Sequence, residues 1–136
     1  MKRILFAIVI SSVGTAYAAC KLPDNIENRD FIMEVSDFYG PSNPMAGNVY
    51  KMQYHGDGKY NYKVLNNGSN YTGKYKYEKV ANNIGIISSE EMFGADLTQY
   101  TLTLMCNNAN SGVYFYQQSD GVAGSRSNTS RYFLLN

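Results

Sequence analysis

Few side chains in this sequence could do chemistry, and they are unevenly placed. Two adjacent carboxylates, Glu90 and Glu91, are followed by Asp96 in a polar stretch. Such a group can share protons in acid–base work or ligate calcium. The spacing matches no calcium loop, so a solvated acidic loop is expected over residues 89–98. His55 is the single histidine and stands beside Gly56-Asp57-Gly58. No triad or metal partner can be placed for it, and an exposed structural role is expected. There is no glycine-rich phosphate loop, Gly-x-Ser-x-Gly elbow or Cys-x-x-Cys pair. Catalysis is therefore not expected, nor is a cofactor or a metal.

Tyrosine is more informative: there are thirteen, and no tryptophan. They interleave with lysine in Lys59-Tyr60-Asn61-Tyr62-Lys63 and Lys74-Tyr75-Lys76-Tyr77. Basic–aromatic interleaving can build a nucleic-acid platform. On a strand, however, neighbours point to opposite faces, so Tyr and Lys are segregated. Tyr50, Met52, Tyr54, Tyr60, Tyr62, Tyr75, Tyr77, Leu102 and Leu104 are expected to point inward, and Lys51, Lys63, Lys74 and Lys76 outward. A buried phenol without a partner costs roughly 1–3 kcal/mol. Several on one face therefore imply a partly polar lumen, or hydroxyls that reach its ends. Tyr50, Tyr54, Tyr60, Tyr62, Gly73, Tyr75 and Tyr77 are the candidate lumen ligand-binding residues. Gly73, between Tyr71 and Tyr75, would leave local room.

The elements that must position these groups are organised around residues 100–116. Tyr100-Thr101-Leu102-Thr103-Leu104-Met105-Cys106 alternates with period two. A turn-forming run from Asn107 to Gly112 follows, and then Val113-Tyr114-Phe115-Tyr116. This reads as a β-hairpin with one buried face. The same period predicts strands over 30–38, 48–55, 59–65, 71–79, 84–88 and 131–135. Residues 21–28 leave room for one turn of helix. Residues 117–130, rich in Ser, Gly and Asn, read as a long mobile loop. Eight antiparallel strands in sequence order suffice to close a small barrel, and a two-sheet sandwich is the alternative.

The first residues look like a targeting segment. Met1-Lys2-Arg3 is basic, residues 4–13 are mostly apolar, and Ala16-Tyr17-Ala18 fits a signal-peptidase site. Cleavage after Ala18 would leave a single domain over residues 19–136, with no transmembrane segment. Cys20 after Ala18-Ala19 also permits a lipoprotein, although Tyr17 stands where an aliphatic residue is usual. Without Lys2 and Arg3, ten basic residues face eleven acidic ones, a net charge of −1. That balance argues against nucleic acid as a partner. Cys20 and Cys106 are the only cysteines. An exported chain would join them in a disulfide.

The run Tyr60-x-Tyr62, Gly73-x-Tyr75-x-Tyr77, Asn83-x-Gly85, Tyr100-Thr101-Leu102-Thr103-Leu104 and Ser111-Gly112-Val113-Tyr114 resembles small secreted bacterial β-barrels of the calycin-like, lipocalin-like kind. Ser130-Arg131-Tyr132-Phe133-Leu134 would be their closing strand. The Gly-x-Trp signature of true lipocalins is missing. The resemblance implies a secreted or periplasmic barrel and carries over no catalytic residue. The expected function is binding of a small apolar or amphipathic ligand in the lumen. The alternative is a protein partner, as for an inhibitor of a secreted or host enzyme, held by loops at the barrel mouth.

Overall fold

The alternation resolves into eight strands: β1 (Arg29–Glu34), β2 (Val49–Tyr54), β3 (Lys59–Val64), β4 (Asn70–Ala81), β5 (Ile84–Phe93), β6 (Asp96–Asn108), β7 (Ser111–Asp120) and β8 (Arg126–Leu135). The computed structural model describes residues 20–122 and 124–135. Each strand pairs antiparallel with the next, and β1 also pairs with β8, so the sheet closes into a barrel rather than a sandwich. Closure leaves no unpaired sheet edge. The signal-peptide reading of residues 1–18 lies outside the described residues.

One face of every strand fills the lumen. Tyr54, Tyr60, Phe31, Ile87, Leu104 and Tyr132 are almost fully buried there. Lys63, Lys74 and Lys76 are exposed on the outer face, and Lys51 is partly covered by its ion pair with Asp30. Close approach is possible where an inward position carries glycine. The ring of Tyr60 lies over Gly73, its cross-strand partner, and that of Tyr132 over Gly112. The glycines leave the width that a second side chain would take up.

The two ends of the barrel differ. At one end the segment before β1 is a plug, not a turn of helix. Its Leu22 and Ile26 are buried in the core. Leu22 N–H donates to Asn82 O at 2.8 Å, and Tyr77 Oη donates to Pro23 O at 2.9 Å. Asn28, at φ 57°, turns the chain from the plug into β1, a backbone region that Asn tolerates better than most residues. A Cys20–Cys106 disulfide ties the plug to β6, with Cα atoms 5.9 Å apart. The opposite end carries the β1–β2, β3–β4, β5–β6 and β7–β8 connections.

Two loops expected from the sequence are strands. Residues 89–98 continue β5 and begin β6 around a two-residue turn, Gly94-Ala95, with Gly94 at φ 65°. Most of residues 117–130 extend β7 and β8, paired as far as Gln118–Arg126. Their turn is held by Gln118, whose Nε2 donates to Val122 O at 3.0 Å and Gly124 O at 2.7 Å. Polar composition suggested a loop, but pairing and inward polar contacts decide otherwise. Conversely, β1 stops at Glu34, and the longest connection is 35–48, which opens with a stretch expected to be strand.

Candidate functional site

The open end holds a cavity of about 310 Å³. Strand alternation supplies an aromatic wall: Tyr50 from β2, Tyr62 from β3, Tyr71 from β4, Phe93 from β5, Tyr100 from β6, and Tyr114 and Tyr116 from β7. The rings support one another. Tyr62 stacks on Tyr71 at 5.1 Å between centroids and meets Tyr50 edge-on at 5.6 Å. Tyr71 leans on Phe93 at 5.7 Å, and Tyr100 on Tyr116 at 5.1 Å. Met33, Met52 and Leu102 add aliphatic surface, and the 35–48 connection contributes Asn43, Pro44 and Met45 at the mouth.

The polar centre of the cavity is Glu91. It is only 4% exposed, facing Thr98 across the β5–β6 ladder. Three phenols donate to its carboxylate. Tyr60 Oη reaches Oε1 at 2.5 Å and Tyr100 Oη reaches the same oxygen at 3.0 Å, while Tyr62 Oη reaches Oε2 at 3.2 Å. Tyr60 and Tyr100 hydroxyls also lie 2.8 Å apart. Burial raises the Glu91 carboxyl above its ordinary range, and the three phenols pull it back down in part. No ion pair reaches Glu91 among the described residues.

A carboxylate offers about four acceptor sites. Three are used here, two on Oε1 and one on Oε2. The remaining capacity belongs to Oε2. Arg126, at the start of β8, lines the same cavity, and its Nε is buried without a hydrogen-bond partner among the described residues. The site thus joins an aromatic wall, a buried carboxyl group without an ion pair and a guanidinium nitrogen without an acceptor among the described residues.

The candidates read from the sequence are divided by this geometry. Tyr50 and Tyr62 line the cavity. Tyr60 reaches it through Glu91, whereas Tyr54 lies in the filled core with its hydroxyl unpartnered among the described residues. Gly73 is on the inner face but provides no room: the Tyr60 ring occupies the space beside it. Tyr75 donates to His55 O at 2.8 Å, and Tyr77 is committed to the plug. His55 itself is exposed.

The acidic stretch is not a solvated loop. Glu91 points inward, while Glu90 faces out and accepts from Gln99 Nε2 at 3.0 Å. Asp96 lies across the hairpin from Phe93. Glu91, Arg126 and Gln118 are the site residues that the sequence reading missed. One signal was available for Glu91: reading Gly94-Ala95 as a two-residue hairpin turn places it opposite Thr98, in phase with Tyr100. Compared with known proteins, the chain matches no family model, no curated sequence and no solved structure.

Proposed function

We propose that this chain is an exported, calycin-like barrel that binds a small amphipathic molecule in the open end of its lumen and does no chemistry on it. The observation that carries the reading is the cavity: about 310 Å³, at the lower end of the ~300–1,000 Å³ range of small-molecule sites. It has the combination such sites need, an apolar wall with a few convergent polar groups. The disulfide and the basic, apolar start of the chain support an oxidising compartment outside the cytoplasm, secreted or periplasmic. No helix among the described residues is long and apolar enough to cross a membrane.

The test is occupancy of the lumen. Val64 lines the cavity from β3, and Val64→Phe adds a ring to the open volume. Binding of the uncharged probe N-phenyl-1-naphthylamine, or of ligand carried through purification, is expected in the wild type and lost in Val64→Phe. Binding that survives the variant removes the lumen reading.

A second reading has its own observation. Phe38 is 85% exposed and Tyr39 77% exposed on the 35–48 connection that rims the mouth. Exposed aromatic residues are the usual anchors of a protein interface. They support a partner protein docked over the mouth. Phe38→Ala with Tyr39→Ala is expected to abolish such a complex while leaving probe binding intact.

A further inference from the structure

We infer that the ligand is a small organic ammonium ion, its charged nitrogen against Glu91 and an anionic or acceptor group toward Arg126. This names the ligand class for the lumen site and rests on the lumen reading. The argument begins with the cost of Glu91. A carboxylate more than nine-tenths buried must be neutralised or paired. Three phenols supply hydrogen bonds but no charge, and no basic side chain pairs with it among the described residues.

The surroundings favour a cation that arrives with the ligand. Tyr62 and Tyr100 bond the carboxylate and also line the cavity, where Tyr50, Tyr71 and Tyr116 complete an aromatic wall. Faces of aromatic rings attract cations, most strongly where water is excluded. The free acceptor capacity on Glu91 Oε2 suits an ammonium N–H, a charge-assisted bond. A neutral alcohol could donate there too, but would leave the carboxylate charge uncompensated. A carboxylate-headed ligand would face like charge.

Arg126 gives the second half. It lines the same cavity, and its buried Nε lacks an acceptor among the described residues. It has no ion pair with Glu91. Two opposite charges that share a cavity without pairing mark two separate points for one molecule. An acceptor at the far end of the ligand satisfies Arg126, and this cation then tightens binding rather than opposing it.

Four matched probes test the assignment by calorimetry on the full folded chain: benzylamine, benzyl alcohol, benzoate and 4-(aminomethyl)benzoate. Benzylamine is expected to bind wild type at least about tenfold tighter than benzyl alcohol. Benzoate should bind most weakly, and 4-(aminomethyl)benzoate most tightly. Glu91→Gln should erase the amine-over-alcohol preference while still binding the alcohol. Arg126→Gln should erase only the gain from the added carboxylate.

Equal wild-type affinities for amine and alcohol overturn the ammonium assignment while leaving the lumen site in place. Binding of none of the four, or binding that persists in Val64→Phe, overturns the lumen reading itself. Equal affinities of benzylamine and 4-(aminomethyl)benzoate remove the role of Arg126. The wild-type ratios decide the matter even if a variant does not fold.

Discussion

Gly73→Ala is the sharpest probe of how the lumen is filled. A Cβ built at Gly73 would stand 2.5 Å from Tyr60 Oη, 2.6 Å from Tyr60 Cζ and 2.6 Å from Glu90 O. The Glu90 oxygen is backbone within the β4–β5 ladder and has little freedom. The Tyr60 ring is 1% exposed, stacked on Tyr62 at 6.2 Å and tilted against Tyr54 at 5.8 Å. It can yield only by leaving its place. Overpacking of this kind costs about 1–3 kcal/mol. Moving the ring also breaks the Tyr60–Glu91 hydrogen bond, and a bond to a charged group contributes about 1.5–3 kcal/mol. The sum is roughly 2.5–6 kcal/mol, which lowers the Tm of a domain of this size by about 10–25 °C.

Differential scanning calorimetry reads the effect, and Gly40→Ala is the control. Nothing lies within 4 Å of a Cβ at Gly40, so that change should fall within about 0.5 kcal/mol of wild type. In a Tyr60→Leu background, Gly73→Ala should cost at least about 1 kcal/mol less. A Gly73→Ala protein that melts within about 2 °C of wild type refutes the reasoning. So does strict additivity with Tyr60→Leu.

Reducing the Cys20–Cys106 bond, which spans 86 positions, should destabilise the barrel by at most about 4–5 kcal/mol. Intact mass should show no free thiol before reduction and two after it. Ile26→Ala, which empties the centre of the plug, should cost about 2–5 kcal/mol in denaturant unfolding. The lumen tyrosines should resist ionisation. Burial pushes Tyr54, Tyr60, Tyr62 and Tyr100 well above the ordinary 10.0, and Tyr132 up to about 12. Their contribution is complete below about pH 10 and is lost as pH rises through the folded values. Their phenolate absorbance should therefore appear together with alkaline unfolding, not before it. Glu91 works in the same direction at lower pH. Burial raises its carboxyl above 4.5, so stability falls as pH climbs from that value to the raised one, and Glu91→Gln should flatten this slope and raise the neutral-pH Tm.

Much of the barrel was legible because inward and outward residues differ in kind. Tyr60 and Tyr62 against Lys59 and Lys63 admit only one register, and β4 repeats the pattern. Legibility failed where inward positions are polar. Ser89, Glu91, Thr98, Gln118 and Ser130 are all buried, and each interrupts the apolar alternation that identifies a strand. Their burial is set by neighbours far along the chain. Glu91 accepts from Tyr60, 31 positions away, and Ser130 Oγ accepts from Ser36 N–H, 94 positions away, at 3.0 Å. Such tertiary hydrogen bonds leave no local signature. The candidate site suffered most, because its polar residues come from those same segments.

The closed end shows what this chain does when stability alone is served. Leu22 and Ile26 cap the lumen, Tyr77 finds a carbonyl, and a disulfide secures the plug. The open end departs from that logic at one residue. A glutamine at position 91 could keep an acceptor oxygen for Tyr60 and Tyr100 and donate its amide to Tyr62 Oη. It would carry no charge into the lumen. The three phenols would remain satisfied and the burial cost of the carboxylate would vanish. A sequence that keeps Glu91 there gives up stability at a place where a neutral residue would serve the fold. Departures of this kind from local consistency are expected at functional sites. Such a departure inside a cavity walled by seven aromatic residues and shared with Arg126 is what the proposed ammonium ligand would account for, and the architecture of the barrel alone does not call for it.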